Sequence, residues 1–140
     1  MVGMCFFIQR LTQIYPAETL VQWIATRHQP DVMAGKVMVL FIDNQAAMVA
    51  LTSGSSRAAD AAWLSHVTHL LWFQLGIRVW VEWVDSESNP ADGLSREGLG
   101  DPWTQAQAVR LRWDLEEVSP PPVASIQEEA RTLLKSLSGR

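Results

Sequence analysis

The hydrophobic pattern predicts three strands in the first two thirds of the chain. Residues 37–42 form an apolar run of strand length, typical of a strand that is buried on both faces of a parallel or mixed sheet. Residues 2–8 are also apolar and bulky, and they predict a strand. Residues 77–85 alternate between apolar and polar positions, so one face of this strand is expected to carry Ile77, Val79, Val81 and Trp83.

Helical spacing of apolar residues predicts helices between these strands. Residues 15–28 have Pro16 in a first turn and an apolar stripe of Leu20, Val21 and Ile24. Residues 44–51 predict a short helix, and residues 57–76 predict the longest one, which is expected to end at Gly76. The intervening residues 29–36 are expected to form a loop. The resulting order of strands and helices is that of an α/β protein.

After Gly98 the sequence predicts helices separated by a proline-rich break. One further helix is predicted before a proline-rich break at residues 119–122, and residues 124–140 predict a short amphipathic helix. We therefore divide the chain into a domain over residues 1–98 and a C-terminal helical tail over residues 99–140.

Composition and net charge argue against several classes of protein and of site. The chain has 140 residues, 48% of them apolar, and a net charge of −4, which argues against a free-standing nucleic-acid binder driven by electrostatics. Its one cysteine, Cys5, excludes an internal disulfide and a cysteine-based zinc site. No apolar stretch reaches membrane-spanning length, so we expect no membrane partner and an intracellular location, in the cytoplasm or nucleus.

Among the seven tryptophans, Trp80 and Trp83 are expected to pack in the core, with stacking on a base as the alternative.

Three acids occupy positions where a site is expected. Glu18 lies on the first predicted helix, Asp43 follows the apolar strand, and Asp92 lies in a helical turn after the alternating strand. Carboxylates that converge beyond strand ends can hold Mg²⁺, which prefers oxygen ligands. Each acid also has a simpler interpretation: Asp43 as a helix N-cap, Asp92 as a first-turn acid favoured by the helix dipole, and Glu18 as an ordinary helix residue.

Two motifs in the chain resemble a known family. The segments FIDNQAA at residues 41–47 and WVDSESNPADGLSR at residues 83–96, with SGSSR and a long apolar helix between them, resemble the RNase H domain of retroelement reverse transcriptases. The resemblance extends over roughly residues 14–97 and includes IYPAETL at residues 14–20. It implies an RNase H-like fold, in which helices flank a mixed central sheet.

The resemblance also implies an activity and its residues. Members of the family are endonucleases that use two Mg²⁺ or Mn²⁺ ions to hydrolyse the RNA strand of an RNA–DNA hybrid. Glu18, Asp43 and Asp92 fall on three of the four metal-binding acids, which are also the catalytic residues. The fourth acid belongs to the first strand of the family fold. Residues 1–17 contain no Asp or Glu, so we expect this chain to lack that strand.

Side-chain chemistry suggests substrate contacts, and the resemblance implies partners. Asn44, Ser55 and Arg57 are the candidate substrate-binding residues, and Ser55 and Arg57 are suited to contact phosphates; a plain loop before the long helix is the alternative. The implied partners are the RNA–DNA hybrid and the polymerase domain of a longer polyprotein. Two other hypotheses stay open: a catalytically inactive RNase H-like remnant or connection domain that lacks the first acid, and a tryptophan-rich interaction module.

Overall fold

A parallel pair of strands, with helices packed on one face, forms the centre of the fold. The computed structural model describes residues 14–139, so the strand predicted at residues 2–8 lies outside the described residues. The described strands and helices follow one another in an order that is broadly α/β, as the sequence predicts. The mixed sheet of an RNase H-like fold requires further strands and stays a prediction.

The elements have the following bounds: α1 Ile14–His28, α2 Pro30–Met33, β1 Val37–Ile42, α3 Gln45–Ser53, α4 Ala59–Gln74, β2 Arg78–Trp83, α5 Ala91–Glu97, α6 Pro102–Leu111 and α7 Val123–Ser138. Single 3-10 turns at Ser86–Ser88 and Gly98–Gly100 flank α5. The helices predicted at residues 15–28, 44–51 and 57–76 agree with α1, α3 and α4 to within two residues. The predicted loop at residues 29–36 contains α2, one short turn of helix with Pro30 in its first turn.

The sheet is covered on one face only, within the described residues. The parallel register pairs Val37 with Arg78 at one end and Ile42 with Trp83 at the other. Inward-facing side chains pack against α3 and α4, in the cluster of Met38, Leu40, Ile42, Val79, Val81, Ala47, Leu51 and Trp72. The outward-facing side chains of β1 are exposed, with Val37 at 63% and Phe41 at 59%. The expectation that β1 is buried on both faces is therefore wrong for the described part of the chain.

The strand β2 corrects the expectation for its tryptophans. Trp80 is 65% exposed, because it shares the outward face with Arg78 and Glu82, and its Nε1–H donates to Oε2 of Glu82 at 2.8 Å. Trp83 is also exposed. The prediction that these two side chains pack in the core is wrong, and the alternation along the strand explains the position of Trp80.

A second cluster joins three helices on the side of α1 and α4. Its buried members are Trp23, Ile24, Val67, Leu71, Ile126, Ala130 and Leu133, which come from α1, α4 and α7. An ion pair between Arg27 and Glu129 lies at the margin of this cluster, as does a hydrogen bond between Nε2 of His28 and Oε2 of Glu116 at 3.1 Å. The tail helix α7 thus packs on the same core as α1 and α4.

Polar contacts fix α1 and α3 against α4. The hydroxyl of Ser65 donates to the carbonyl oxygen of Ala50 at 2.6 Å, and Nε1–H of Trp72 donates to Oγ1 of Thr26 at 3.0 Å. These bonds satisfy buried polar groups, which are costly to leave unpaired. Of the helices in residues 14–139, none combines the length and the apolar character needed to cross a bilayer.

Candidate functional site

The turn from β1 into α3 shows which residue caps the helix. Oδ1 of Asn44 accepts hydrogen bonds from the backbone N–H groups of Ala46 at 3.0 Å and Ala47 at 3.1 Å. Asn44 is therefore the N-cap, and the interpretation of Asp43 as the N-cap is wrong. The carboxylate of Asp43 lies at the carboxyl end of β1 and is not used to start the helix.

Glu18 approaches Asp43 from helix α1. Burial and the negative charge of Asp43 raise the pKa of Glu18 to about 7. A hydrogen bond from Asn44 lowers this pKa and so opposes part of the shift. Oε2 of Glu18 is buried and has no hydrogen-bond partner among residues 14–139. A buried carboxylate oxygen without a partner, next to a second carboxylate, is an unfavourable arrangement that a bound cation or a proton would relieve.

Asn89 connects the second motif to this pair of acids. Its Nδ2–H donates to Oδ2 of Asp43 at 3.0 Å, and its Oδ1 accepts from the backbone N–H of Ala91 at 3.1 Å. The residue thus orients Asp43 while it shapes the turn that precedes α5. The sequence patterns did not indicate the contact of Asn89 with Asp43. The joint occurrence of the two motifs was the signal that these segments meet.

Asp92, on α5, has an arginine as its partner. Its Oδ2 forms an ion pair with Arg96, one turn further along α5, at 2.9 Å. In residues 14–139, no three His, Cys, Asp or Glu side chains form a group that could hold a metal ion. The structure thus brings Glu18 and Asp43 together, whereas Asp92 does not complete a three-acid cluster with them.

The candidate phosphate-binding residues lie at the other end of α3. Oγ of Ser53 is within hydrogen-bond distance of Oγ of Ser55, at 3.1 Å, and the side chain of Arg57 is exposed. The nine residues of α3 separate this loop from Asn44, a distance of about 14 Å along the axis at 1.5 Å per residue. Ser55 and Arg57 therefore lie outside contact range of the acid pair, on the flank of the same helix.

A glycine of the second motif has a packing role that the sequence did not reveal. Gly93 in α5 lies against the buried carboxylate of Asp101, and a Cβ at this position would lie 2.9 Å from Cγ of Asp101 and overlap its Oδ1. Oδ2 of Asp101 accepts hydrogen bonds from the N–H of Thr104 at 2.8 Å and from its hydroxyl at 2.7 Å, which caps α6. The glycine thus allows α5 and the start of α6 to pack closely.

Comparison with known proteins identifies no relative: no protein-family model, no curated protein and no solved structure matches the chain.

Proposed function

We propose that this chain is an RNase H-like nuclease domain of retroelement origin, an endonuclease that hydrolyses the RNA strand of RNA–DNA hybrids. The observation that carries the proposal is the meeting of Glu18 and Asp43 at the carboxyl end of β1, with Asn89 of the second motif bonded to Asp43. Residues from three separate segments thus build one acidic site, in the place where open α/β sheets bind ligands.

The acidic pair has the properties of a divalent-cation site. Oε2 of Glu18, which no side chain or backbone group of the described residues bonds, is available as an oxygen ligand, and the adjacent Asp43 supplies a second carboxylate. Glu18 and Asp43 would hold Mg²⁺ or Mn²⁺, and Asp92 would join them by exchanging its ion pair with Arg96. When bound, such ions lower the pKa of water and stabilise the negative charge that develops on a phosphodiester.

The chain's own residues prepare the site for this chemistry. Asn89 and Asn44 bond to Asp43 and Glu18 and so limit the orientations of both carboxylates. The raised pKa of Glu18 means that this side chain holds a proton near neutral pH until a cation displaces it. The loop with Ser55 and Arg57 would contact the sugar–phosphate backbone of the hybrid about one helix length away, and recognition would depend on duplex shape and 2′-hydroxyls.

A second candidate is an RNase H-like connection domain that does not catalyse. The observation that favours it is the ion pair between Asp92 and Arg96, together with the lack of a three-acid group in the described residues. Such a domain would contribute a surface to a longer polyprotein, for example beside a polymerase domain.

Cleavage of an end-labelled RNA–DNA hybrid in Mg²⁺ and in Mn²⁺ tests the proposal. We expect the purified chain to cut the RNA strand, Asp43→Asn to abolish cutting, and the matched change Asp31→Asn on exposed α2 to leave it unchanged. No cleavage by a chain whose circular dichroism shows intact helices would favour the connection domain. Equal cleavage by Asp43→Asn would exclude Asp43 from the site.

A further inference from the structure

The outward face of the strand pair combines an apolar row on β1 with two opposite charges on β2. The outward side chains of β1 are apolar, and each is more than half exposed: Val37, Val39 and Phe41. The outward side chains of β2 are also exposed, and in chain order they are Arg78, Trp80 and Glu82. Neighbouring apolar side chains that are exposed on one face are typical of a contact surface.

The register of the two strands gives this face a centre. It pairs Val37 with Arg78, Val39 with Trp80, and Phe41 with Glu82. Val39 and Trp80 thus lie side by side in the middle, and β2 has one charge two residues away in each direction. At about 3.3 Å per residue, Arg78 and Glu82 lie about 13 Å apart along the strand, with Trp80 midway between them.

A face with this pattern is complementary to a second copy of itself. A two-fold axis that crosses both strands at the level of Trp80 reverses the strand direction in the second copy. Arg78 of each copy then lies opposite Glu82 of the other, so both charges find a partner of opposite sign. The apolar row of β1 lies opposite the same row of the second copy, with Val39 at the axis.

The charges also distinguish this arrangement from the other two-fold packing of the same faces. An axis parallel to the strands would place β1 of one copy opposite β2 of the other. Arg78 would then lie opposite Val37, and Glu82 opposite an apolar side chain, so neither charge would be paired. Burial of an unpaired charge is costly. Of the two arrangements, only the axis across the strands fits the pattern of charges.

The side chain of Trp80 is already arranged for such a contact. Its Nε1–H donates to Oε2 of Glu82 at 2.8 Å, so the polar edge of the indole has a partner within the same copy. A tryptophan N–H needs a partner when the side chain becomes buried, and here that bond exists before the copies meet. Tryptophan is also enriched at the centres of protein interfaces.

Stacking of nucleic-acid bases on the exposed aromatic side chains is the competing interpretation. Surfaces that bind single strands combine aromatic side chains with a positively charged groove. On this face the charge of Arg78 is balanced by that of Glu82, and the whole chain has a net charge of −4. A phosphate backbone would therefore gain no net attraction here, whereas a second copy gains two ion pairs.

We propose that the outward face of β1 and β2 is a homodimer interface, in which two copies of the chain pack face to face across a two-fold axis at Trp80. Two strands of six residues span only about 20 Å by 10 Å, a small face beside the roughly 800 Å² that each partner contributes to a standard interface. We therefore expect a weak dimer, with a dissociation constant on the order of 100 µM. The interface uses none of the acidic residues of the candidate site, so it is independent of the proposed activity.

Sedimentation equilibrium of the full chain, from about 5 µM to about 1 mM, tests the interface. We expect the wild type to dimerise over this range. Glu82→Arg and Arg78→Glu each place like charges opposite one another, and each should weaken self-association at least about tenfold. An equimolar mixture of these two variants should associate, because one carries two positive charges on the row and the other two negative charges. The matched changes Glu87→Arg and Arg110→Glu, at exposed positions outside the sheet, should leave self-association unchanged.

Circular dichroism of every variant confirms that the helices are intact before its association is compared. A wild type that stays monomeric at about 1 mM would overturn the proposal. So would equal weakening by Glu87→Arg, which would indicate an effect of net charge alone. A mixture of Glu82→Arg and Arg78→Glu that fails to associate would show that these two side chains do not lie opposite each other. A monomer that binds a single-stranded oligonucleotide, and loses this binding in Trp80→Thr, would assign the face to base stacking.

Discussion

Asn89 donates a hydrogen bond from Nδ2 to Oδ2 of Asp43 at 3.0 Å, across 46 positions of the sequence. This bond connects the turn after β2 to the end of β1, and it joins the two motifs that carry the family resemblance. Asp43 therefore has a hydrogen-bond partner in Asn89 and a second acidic side chain, Glu18, close by. The hydrogen bond from Asn89 limits the orientations of the Asp43 carboxylate.

Replacement of Asn89 by alanine is expected to lower the free energy of unfolding by about 2 kcal/mol, the range for a hydrogen bond to a charged group. The change leaves Asp43 with less compensation for its partial burial. Urea denaturation at neutral pH measures the effect. The matched change Gln45→Ala, at an exposed position of α3, is expected to alter the free energy by no more than about 0.5 kcal/mol. Equal effects of the two changes would show that the Asn89–Asp43 bond does not contribute.

The pKa of Glu18 predicts how stability depends on pH. Because burial and Asp43 raise this pKa from 4.5 to about 7, the folded chain retains a proton that the unfolded chain has already lost between these values. The contribution of Glu18 to stability therefore decreases as pH rises from 4.5 to about 7, and the loss is complete above that range. Glu18→Gln should remove this slope and make the chain more stable than the wild type at about pH 8.

Urea denaturation of both proteins across this pH range isolates the contribution of Glu18, since the other titrating groups are common to both. Glu87→Gln provides the matched control, because Glu87 is exposed in the turn before α5. It should leave the slope unchanged. Parallel curves for the wild type and Glu18→Gln would contradict the raised pKa.

The ion pair between Asp92 and Arg96 predicts an effect on cation binding, on the basis of the proposed function. Removal of the guanidinium in Arg96→Gln frees Asp92 and removes a nearby positive charge. Mn²⁺ is therefore expected to bind about fivefold more tightly, which corresponds to about 1 kcal/mol for one partly screened charge. Stability should change by no more than about 0.5 kcal/mol, because the Arg96 side chain is exposed and the pair lies within one helix.

Isothermal titration with Mn²⁺ measures this affinity. Arg131→Gln is the matched control, since Arg131 is equally exposed and forms a comparable pair with Glu128 on α7. It should leave Mn²⁺ affinity unchanged. A tightening of the same size in both variants would reflect only the net charge of the chain, and would remove the argument for Asp92 as a ligand.

Local patterns in the sequence were sufficient to predict most elements but not the polar contacts of the site. The stripe of α1 and the alternation of β2 correctly assigned elements and faces, and the position of Trp80 beside Arg78 and Glu82 followed from that alternation. The expectation of a buried tryptophan was wrong because it relied on composition. Periodicity along the strand was the better guide for Trp80, whereas Trp83, which the alternation grouped with the apolar face, is exposed.

At the site, too, local sequence patterns predict which residues are candidates but not which contacts they make. Asp43 and Asn44 are adjacent, and both residue types are good N-caps, so sequence alone could not decide which one caps α3. The decision depends on backbone conformation, with Asn44 extended at φ −96°. The contact between Asn89 and Asp43 depends on how β1 and β2 pair, which the periodicity of either strand does not specify.

Gly93 provides the last prediction, because it lies where α5 meets the buried cap of α6. Gly93→Ala adds a methyl group that overlaps the carboxylate of Asp101. Asp101 is 5% exposed and is held by two hydrogen bonds from Thr104, so it can move away only if the cap is broken. The overlap should cost more than alanine gains as a helix former, and we expect a net loss of about 2 kcal/mol in the free energy of unfolding.

A double-mutant cycle with Asp101→Ala tests whether the overlap itself is the cause. In that background the added methyl group has space, so Gly93→Ala should cost less than it does in the wild type, with a coupling of at least about 1 kcal/mol. Gly100→Ala is the matched control, since a Cβ there meets nothing within 4 Å, and its effect should be small. Additive effects of Gly93→Ala and Asp101→Ala would show that the glycine is not required by this contact. Coupling would establish that the NPADGLSR segment contains a packing residue beside its polar ones, so that its glycine serves the fold and its asparagine serves the acid pair.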